Sequence, residues 1–287
     1  MLKNAFMSLK KQSFKDFEWI IIDDGSSDNT KDIVKTFEKA FFPIRYFYQT
    51  NGGKHIAYNN GVKYSKGEYV IVLDSDDTFL PYTLEILFYY LACVPSNPLI
   101  VGIKGTTLGK NFKINGSHFS KNSFLLDTTI ENFIFKFNKK RGEMLLLIKK
   151  SVALEFLYPE IRGLHYFPET IVETEITKKY QFRFIDVPVR NYETNNDSLT
   201  NKKSNRYKEN IFLWIFGINN FSKHFWGNFL QISKYYVGFV RDTLMNRSFK
   251  KDFLQINSFL KKLYCLSIFP VGFILYLNKK QKDAKIQ

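Results

Sequence analysis

Cysteine is almost absent: of 287 residues only Cys93 and Cys265 carry a thiol, far apart and in apolar surroundings. That excludes a disulfide framework and a thiolate metal site, and fits reduced thiols in a cytosolic chain. Met1–Lys11 lacks the apolar h-region of an export signal and reads instead as an amphipathic helix through Leu2, Ala5, Phe6 and Leu9. There is no internal repeat, no Walker loop and no RNA- or DNA-binding motif. Acid is the scarce charge, with 27 Asp and Glu against 42 Lys and Arg, a formal charge of +15. The first hundred residues are nearly balanced, so the basic surface belongs to the later part and favours anionic partners. That excess lies beside apolar runs and no recognition motif accompanies it, so nucleic acid is not an expected partner. Phenylalanine and tyrosine are plentiful instead, at 30 and 17, and the length suffices to bury a sizeable core.

The first hundred residues alternate between strand and helix signals. Trp19–Ile22 is an apolar run entering Asp23-Asp24-Gly25, and Asp28 or Ser27 can cap the helix that follows through Ile33, Val34 and Phe37. Ile44–Tyr48 reads as a strand, Ile56–Tyr64 as a helix, Tyr69–Leu73 as a strand, and Leu84, Leu87, Phe88 and Leu91 mark the buried face of a helix with Pro81 in its first turn. Such alternation predicts an α/β fold, a Rossmann-like and mostly parallel sheet flanked by helices, with ligands at the carboxyl ends of the strands. Further strands are expected at Leu99–Ile103, Leu145–Lys149 and Phe182–Val189, with polar loop mixed with short segments between Leu108 and Asn138 and a flexible or ligand-ordered loop at Asn191–Arg206. Three regions result: residues 1–100, where strand and helix alternate; 101–205, less regular; and 206–287, a basic-aromatic helical tail.

The tail carries apolar-aromatic runs at Ile211–Ile218 and Tyr235–Val240 that suit amphipathic helices. Leu263–Leu277 is apolar except for Ser267 and is flanked by Lys261-Lys262 and Lys279-Lys280. It is shorter than the roughly 20 apolar residues of a crossing helix. Interfacial attachment is therefore the first expectation, a core or partner helix the second and a crossing the third.

Two acidic turns follow strands in the same half: Asp23-Asp24-Gly25-Ser26-Ser27-Asp28 and Asp74-Ser75-Asp76-Asp77. A hard divalent cation bridging to a diphosphate needs only one or two protein carboxylates. Asp76 is the expected direct ligand, Asp74 reaches the donor ribose or the metal through water, and Asp77 orients the turn. A solvated loop or helix cap is the rival account of the same spacing. Asp24 can accept from a base N–H, whereas Asp28 suits local capping. In Asn51-Gly52-Gly53-Lys54-His55 the glycines permit close backbone approach, and Lys54 can neutralise a leaving diphosphate. His55 has no second histidine at zinc spacing and suits hydrogen bonding at the helix start.

Phe14–Thr30, Asn51–His55, Gly67-Glu68-Tyr69 and Asp74–Asp77, in that order, resemble the inverting family 2 glycosyltransferases of GT-A fold. The resemblance implies sugar transfer from a nucleoside diphosphate sugar, UDP-linked, to a surface-polysaccharide or lipid-linked acceptor, with Mn²⁺ or Mg²⁺ as cofactor. It implies that residues 1–100 are a nucleotide-sugar-binding half and 101–205 an acceptor-binding and catalytic half, that Asp24 holds the base, that Asp74 and Asp76 form the DxD pair, and that Gly53 and Lys54 lie at the diphosphate. Phe167-Pro168-Glu169 matches the family's base segment, making Glu169 the general base and Glu173 the reserve. The implied setting is capsule or lipopolysaccharide synthesis, peripheral at the inner face of the cell membrane, on its anionic surface. The family pattern begins with a strand and a Pro-Thr-Tyr-Asn-like loop that do not precede the opening helix within these 287 residues. The expectation is therefore a sheet short of one central strand, with an unpaired edge, and a non-catalytic or decayed sugar-binding protein is the alternative.

Overall fold

The computed structural model describes residues 1–37, 40–92, 97–109, 113–114, 124–135, 142–161, 164, 166–192, 207–221 and 228–284. Cys93 and residues 193–206 of the expected loop lie outside them. The chain divides into two compact units, Met1–Lys202 and Lys203–Gln287.

The first unit opens with α1 (Leu2–Lys10), whose Ala5, Phe6 and Leu9 are buried as their spacing predicts. β1 (Trp19–Asp24) and β2 (Ile44–Gln49) pair in parallel around α2 (Thr30–Lys35), with Trp19 opposite Ile44 and Asp24 opposite Gln49. α3 (Lys54–Tyr64) packs on β1, and β3 (Tyr69–Ile71) leads to the second acidic turn. Beyond it lie β4 (Thr78–Phe79), α4 (Thr83–Ala92), β5 (Ile100–Leu108), β6 (Leu125–Thr128) and α5 (Ile130–Phe135). β7 (Met144–Lys149), α6 (Lys150–Glu155), α7 (Glu169–Lys179) and β8 (Gln181–Asn191) complete the unit.

The larger sheet runs β3-β7-β5-β8-β4, with β6 also on β8. β5 and β8 are parallel; the β3–β7, β5–β7, β4–β8 and β6–β8 pairs are antiparallel. The α/β architecture with flanking helices is thus present, as a mixed sheet whose parallel pairs are β1–β2 and β5–β8. Among the described residues β1 pairs only with β2 and β3 only with β7, so each keeps one edge outside any ladder.

β5 is buried along nearly its whole length, as a strand covered on both faces must be. Phe6, Phe37, Leu87, Ile103, Leu147, Ile185 and Val189 belong to one apolar cluster. The Phe6 and Phe37 rings stack at 4.1 Å, fixing α1 against the helix side of β1 and β2. α1 is also tied to the chain beyond the acidic turn. The Gln12 side chain donates to the Leu80 carbonyl at 2.7 Å and accepts from the Leu84 N–H at 3.2 Å.

Among the described residues three cations lie buried within the sheet, and each has a carboxylate partner. Lys104 on β5 is paired with Glu173 of α7. Arg183 on β8, 1% exposed, makes a two-pronged pair with Asp127 of β6 at 2.8 Å per contact and donates to the Tyr90 carbonyl at 2.6 Å. Arg190, also on β8, is 2.9 Å from Asp77.

The second unit comprises α8 (Tyr207–Phe221), α9 (Phe229–Met245), α10 (Phe249–Phe253), α11 (Phe259–Ser267) and α12 (Phe269–Ala284). α8 and α9 meet where the Trp214 indole donates to the fully buried Asp242 at 2.7 Å. Cys265 is buried, and burial pushes its thiol up to about 12. Leu263–Leu277, expected as one segment, divides at Ile268 into helices bent by 53°. No single described helix is long and apolar enough to cross a membrane.

Four further differences from the sequence reading have physical causes. β4 is two residues long, and its extended form comes from the ladder with β8 rather than from its own pattern. The short segments expected among polar loop include β6 and α5, whose types the sequence did not assign; β6 is a strand because Leu125–Thr128 adds to the edge of β8. α4 starts at Thr83 rather than at Pro81, whose carbonyl accepts from Ser13 N–H at 2.9 Å. Asn191 closes β8 and does not open the following loop.

Asp127→Ala leaves the Arg183 guanidinium buried without its carboxylate, which is expected to cost about 3 kcal/mol. Urea denaturation should show that loss, and Arg183→Met combined with Asp127→Leu should recover most of it.

Candidate active site

The site begins with the carboxylate that ends β1. Asp24 Oδ1 accepts from Gln49 Nε2 and from the Gly52 N–H, and Oδ2 accepts from the Gly53 N–H, all at 2.8 Å. The parallel register places Gln49 opposite Asp24, so the first of these contacts follows directly from strand pairing. Three donors leave lone-pair capacity on the carboxylate for one more N–H. Gly53 stands at φ +92°, a conformation that costs an L-residue strain, and it sets the first turn of α3. Asp24 thus holds the loop from which Lys54 projects.

Lys54 Nζ lies 2.8 Å from Asp74 Oδ2 and 3.1 Å from Glu169 Oε1. One ammonium therefore joins the carboxylate after β3 to the first residue of α7, 95 positions apart in sequence. Desolvation works against its charge, but Glu169 and then Asp74 outweigh that and hold Lys54 protonated well above the ordinary lysine range. Glu169 is 48% exposed, open to an incoming ligand. Glu173, one turn further along the same helix face, is buried and committed to Lys104. Of the two glutamates read from the sequence, Glu169 alone is both exposed and joined to Asp74 through Lys54.

The acidic turn is shaped by its last residue. The Asp77 N–H donates to the Asp74 carbonyl at 3.0 Å, and the buried Asp77 side chain pairs with Arg190. Arg190 also lies 3.9 Å from Asp74 and 3.8 Å from Glu143, with its guanidinium 5.7 Å from the Tyr192 ring. Among the described residues Asp76 is partly exposed and has no hydrogen-bond or ion-pair partner, while Asp74 keeps Lys54. No group of three or more His, Cys, Asp or Glu converges on one point among those residues. One open carboxylate beside a second fits a hard divalent ion that takes its remaining oxygens from a diphosphate and water.

A cleft next to these groups is lined by Lys54, Tyr58, Asp74, Tyr158, Glu169 and Arg190, among others. Burial, then the charges of Glu169 and Glu173, push the Tyr58 and Tyr158 phenols above the ordinary tyrosine range, so both remain neutral donors. His55 is buried with its ring near Tyr158 and Phe167. In the first acidic turn Asp23 is structural. Burial raises its carboxyl, but hydrogen bonds from Tyr46, Ser26 and Gly25 more than reverse this and hold it below the usual range. Asp28 accepts from the Thr30 N–H at 3.0 Å and its hydroxyl at 2.6 Å, the local role expected for it.

Sequence reasoning missed Arg190, Lys104, Tyr58 and Tyr158. The available signal was a charge inside an apolar strand: Lys104 in β5, and Arg190 at the end of the Phe182–Val189 run.

An α/β half with carboxylates at strand ends facing a glutamate on a helix is the architecture of a glycosyltransferase of GT-A-like fold. Residues 1–147 match the family described as Glycosyl transferase family 2, and the chain belongs to that family. It is 32% identical over 154 residues to the GalNAc(5)-diNAcBac-PP-undecaprenol beta-1,3-glucosyltransferase of Campylobacter jejuni, covering 53% of this chain and 48% of that protein. It is 34% identical over 155 residues to the poly(ribitol-phosphate) beta-N-acetylglucosaminyltransferase TarP of Staphylococcus aureus, covering 53% and 45%. The chain thus spans about half the length of these curated relatives. In fold it resembles residues 1–349 of S. aureus TarS, solved in complex with UDP, with a TM-score of 0.58 and 15% identity over 100% of this chain and 88% of that one.

Removing the Arg190 charge strands a buried carboxylate. Arg190→Gln is expected to lower stability by about 3 kcal/mol, and adding Asp77→Asn should restore part of it in the same denaturation assay.

Proposed function

We propose that this chain transfers a sugar from a UDP-linked donor to a saccharide or lipid-linked saccharide acceptor, with inversion, at the anionic inner face of the cell membrane. The observation that carries the reading is the Lys54 bridge, which brings Asp74 of the donor half and Glu169 of the acceptor half onto a single cation. Family membership supports the reaction class. The relatives' names specify undecaprenol-linked and poly(ribitol-phosphate) acceptors, and the fold neighbour was solved with UDP, which supports the acceptor and donor classes.

In this reading Asp24 offers its remaining lone pair to a base N–H, and Gly53 lets the diphosphate approach the backbone beside Lys54. Asp76, with Asp74, would hold Mn²⁺ or Mg²⁺, which neutralises charge on the departing diphosphate. Lys54 adds a positive charge at the same place, so no general acid is needed for departure. Glu169 takes the proton from the acceptor hydroxyl as that oxygen attacks the anomeric carbon on the face opposite the diphosphate. Tyr58 and Tyr158, as neutral donors in the cleft, orient acceptor hydroxyls.

Glu169→Gln keeps the shape and loses the base. Initial rates should fall by about 10² to 10⁴ while calorimetric donor affinity is kept, and a rate within about threefold of the parent would remove Glu169 from the role. UDP-sugar binding should lose its Mn²⁺ dependence in Asp76→Ala, whereas unchanged affinity and turnover would end that assignment. Donor binding without transfer to any acceptor would support the non-catalytic alternative.

A further inference from the structure

The second unit, Lys203–Gln287, lies outside residues 1–147. Its surface is unusual for a chain in water. On α11, Phe259 and Leu260 are each 74% exposed, and Leu263 and Leu266 continue the same stripe. On α12, Val271 and Ile274 are more than half exposed. Contiguous exposed apolar surface of this kind marks an interaction site.

The charge around it has one sign. Lys250 and Lys251 on α10, Lys262 on α11, and Lys279 and Lys280 on α12 accompany the apolar face. α10 is adjacent to both helices: Lys262 lies over the Phe253 ring at 5.9 Å, and Phe249 meets Phe269 at 5.3 Å. The only carboxylate between Arg247 and Gln281 is Asp252, which is buried and accepts from Gln255.

We propose that α11 and α12 form an in-plane anchor that seats this unit on an anionic bilayer, with the apolar face in the headgroup–acyl boundary and the lysines on lipid phosphates. The proposal rests on the membrane-surface reading above and adds to it the helices and the depth of insertion. The opposite faces of both helices are committed to the bundle, which argues against a crossing. Cys265 is fully buried, and the Tyr264 ring packs on Tyr236 at 4.8 Å. At Gly272 a Cβ would stand 2.5 Å from Val240 of α9, so α12 lies directly against that helix. Lys261 donates to the Asn219 carbonyl at 2.8 Å. A lipid-crossing pair would have to surrender these contacts, and the 53° bend at Ile268 already turns the two helices out of one line. A second copy of the chain is the poorer occupant, because a two-fold contact sets a patch against itself and would face lysine with lysine.

Amphipathic helices with basic flanks bind in the interface plane and favour anionic lipid, and each basic residue near such a surface adds roughly fivefold to partitioning. The test is flotation of the full chain with phosphatidylcholine vesicles, with and without about a third phosphatidylglycerol. The parent should float with the anionic vesicles and weakly with the neutral ones. Leu260→Glu with Ile274→Glu should lower binding by more than tenfold, with an unchanged thermal melt and unchanged UDP-sugar binding. Lys279→Gln with Lys280→Gln should reduce only the anionic component, by about 25-fold. Alkaline carbonate should release the bound chain.

A parent that floats with neither vesicle would overturn the membrane reading itself. Binding that survives the glutamate pair would keep that reading and overturn this anchor. Retention in carbonate would overturn the in-plane geometry in favour of a crossing. A parent dimer in light scattering that the glutamate pair makes monomeric, with no flotation, would assign the face to a second copy.

Discussion

A cation inside a sheet is tolerable only with a carboxylate against it, and this constraint organises the first unit. Lys104, Arg183 and Arg190 are buried on the neighbouring strands β5 and β8, and their partners come from three different places. Glu173 docks α7, Asp127 docks β6, and Asp77 docks the acidic turn. Each pair converts a sequence-distant segment into a fixed neighbour of the central strands. The position of Glu169 follows from this, since it lies one turn before a glutamate that cannot leave Lys104. So does the position of Asp74, since the turn that carries it closes on a residue held by Arg190.

The donor side is organised differently, by backbone rather than by buried charge. Parallel pairing of β1 and β2 sets Asp24 against Gln49, and Asp24 then collects the N–H groups of Gly52 and Gly53. Lys54 is the next residue. Two independent supports, a strand register and a set of buried ion pairs, thus converge on the same three charged side chains.

What could be read from the sequence followed this division. α1, β1, β2, α3 and α4 were legible because each has its own apolar period and punctuation. Asp24, Gly53, Lys54, Asp74, Asp76 and Glu169 could be singled out as candidates because they stand in short contiguous motifs. Arg190 and Lys104 were not, because their meaning comes from a partner dozens of residues away and no local spacing encodes it. β4 was missed because its extended form is conferred by β8 and α1. The break at Ile268 was missed because composition records that a run is apolar and does not record the direction in which its helix axis points.

The close approach at Gly272 has a consequence for the whole outer surface of the second unit. A helix separated from its neighbour by ordinary side chains can roll about its axis by exchanging one ridge for another. At Gly272 the single hydrogen lets α12 come so near Val240 that no other residue of the helix can take that place. The roll angle of α12 is therefore set by one missing methyl group, and with it the identity of every residue that α12 turns outward.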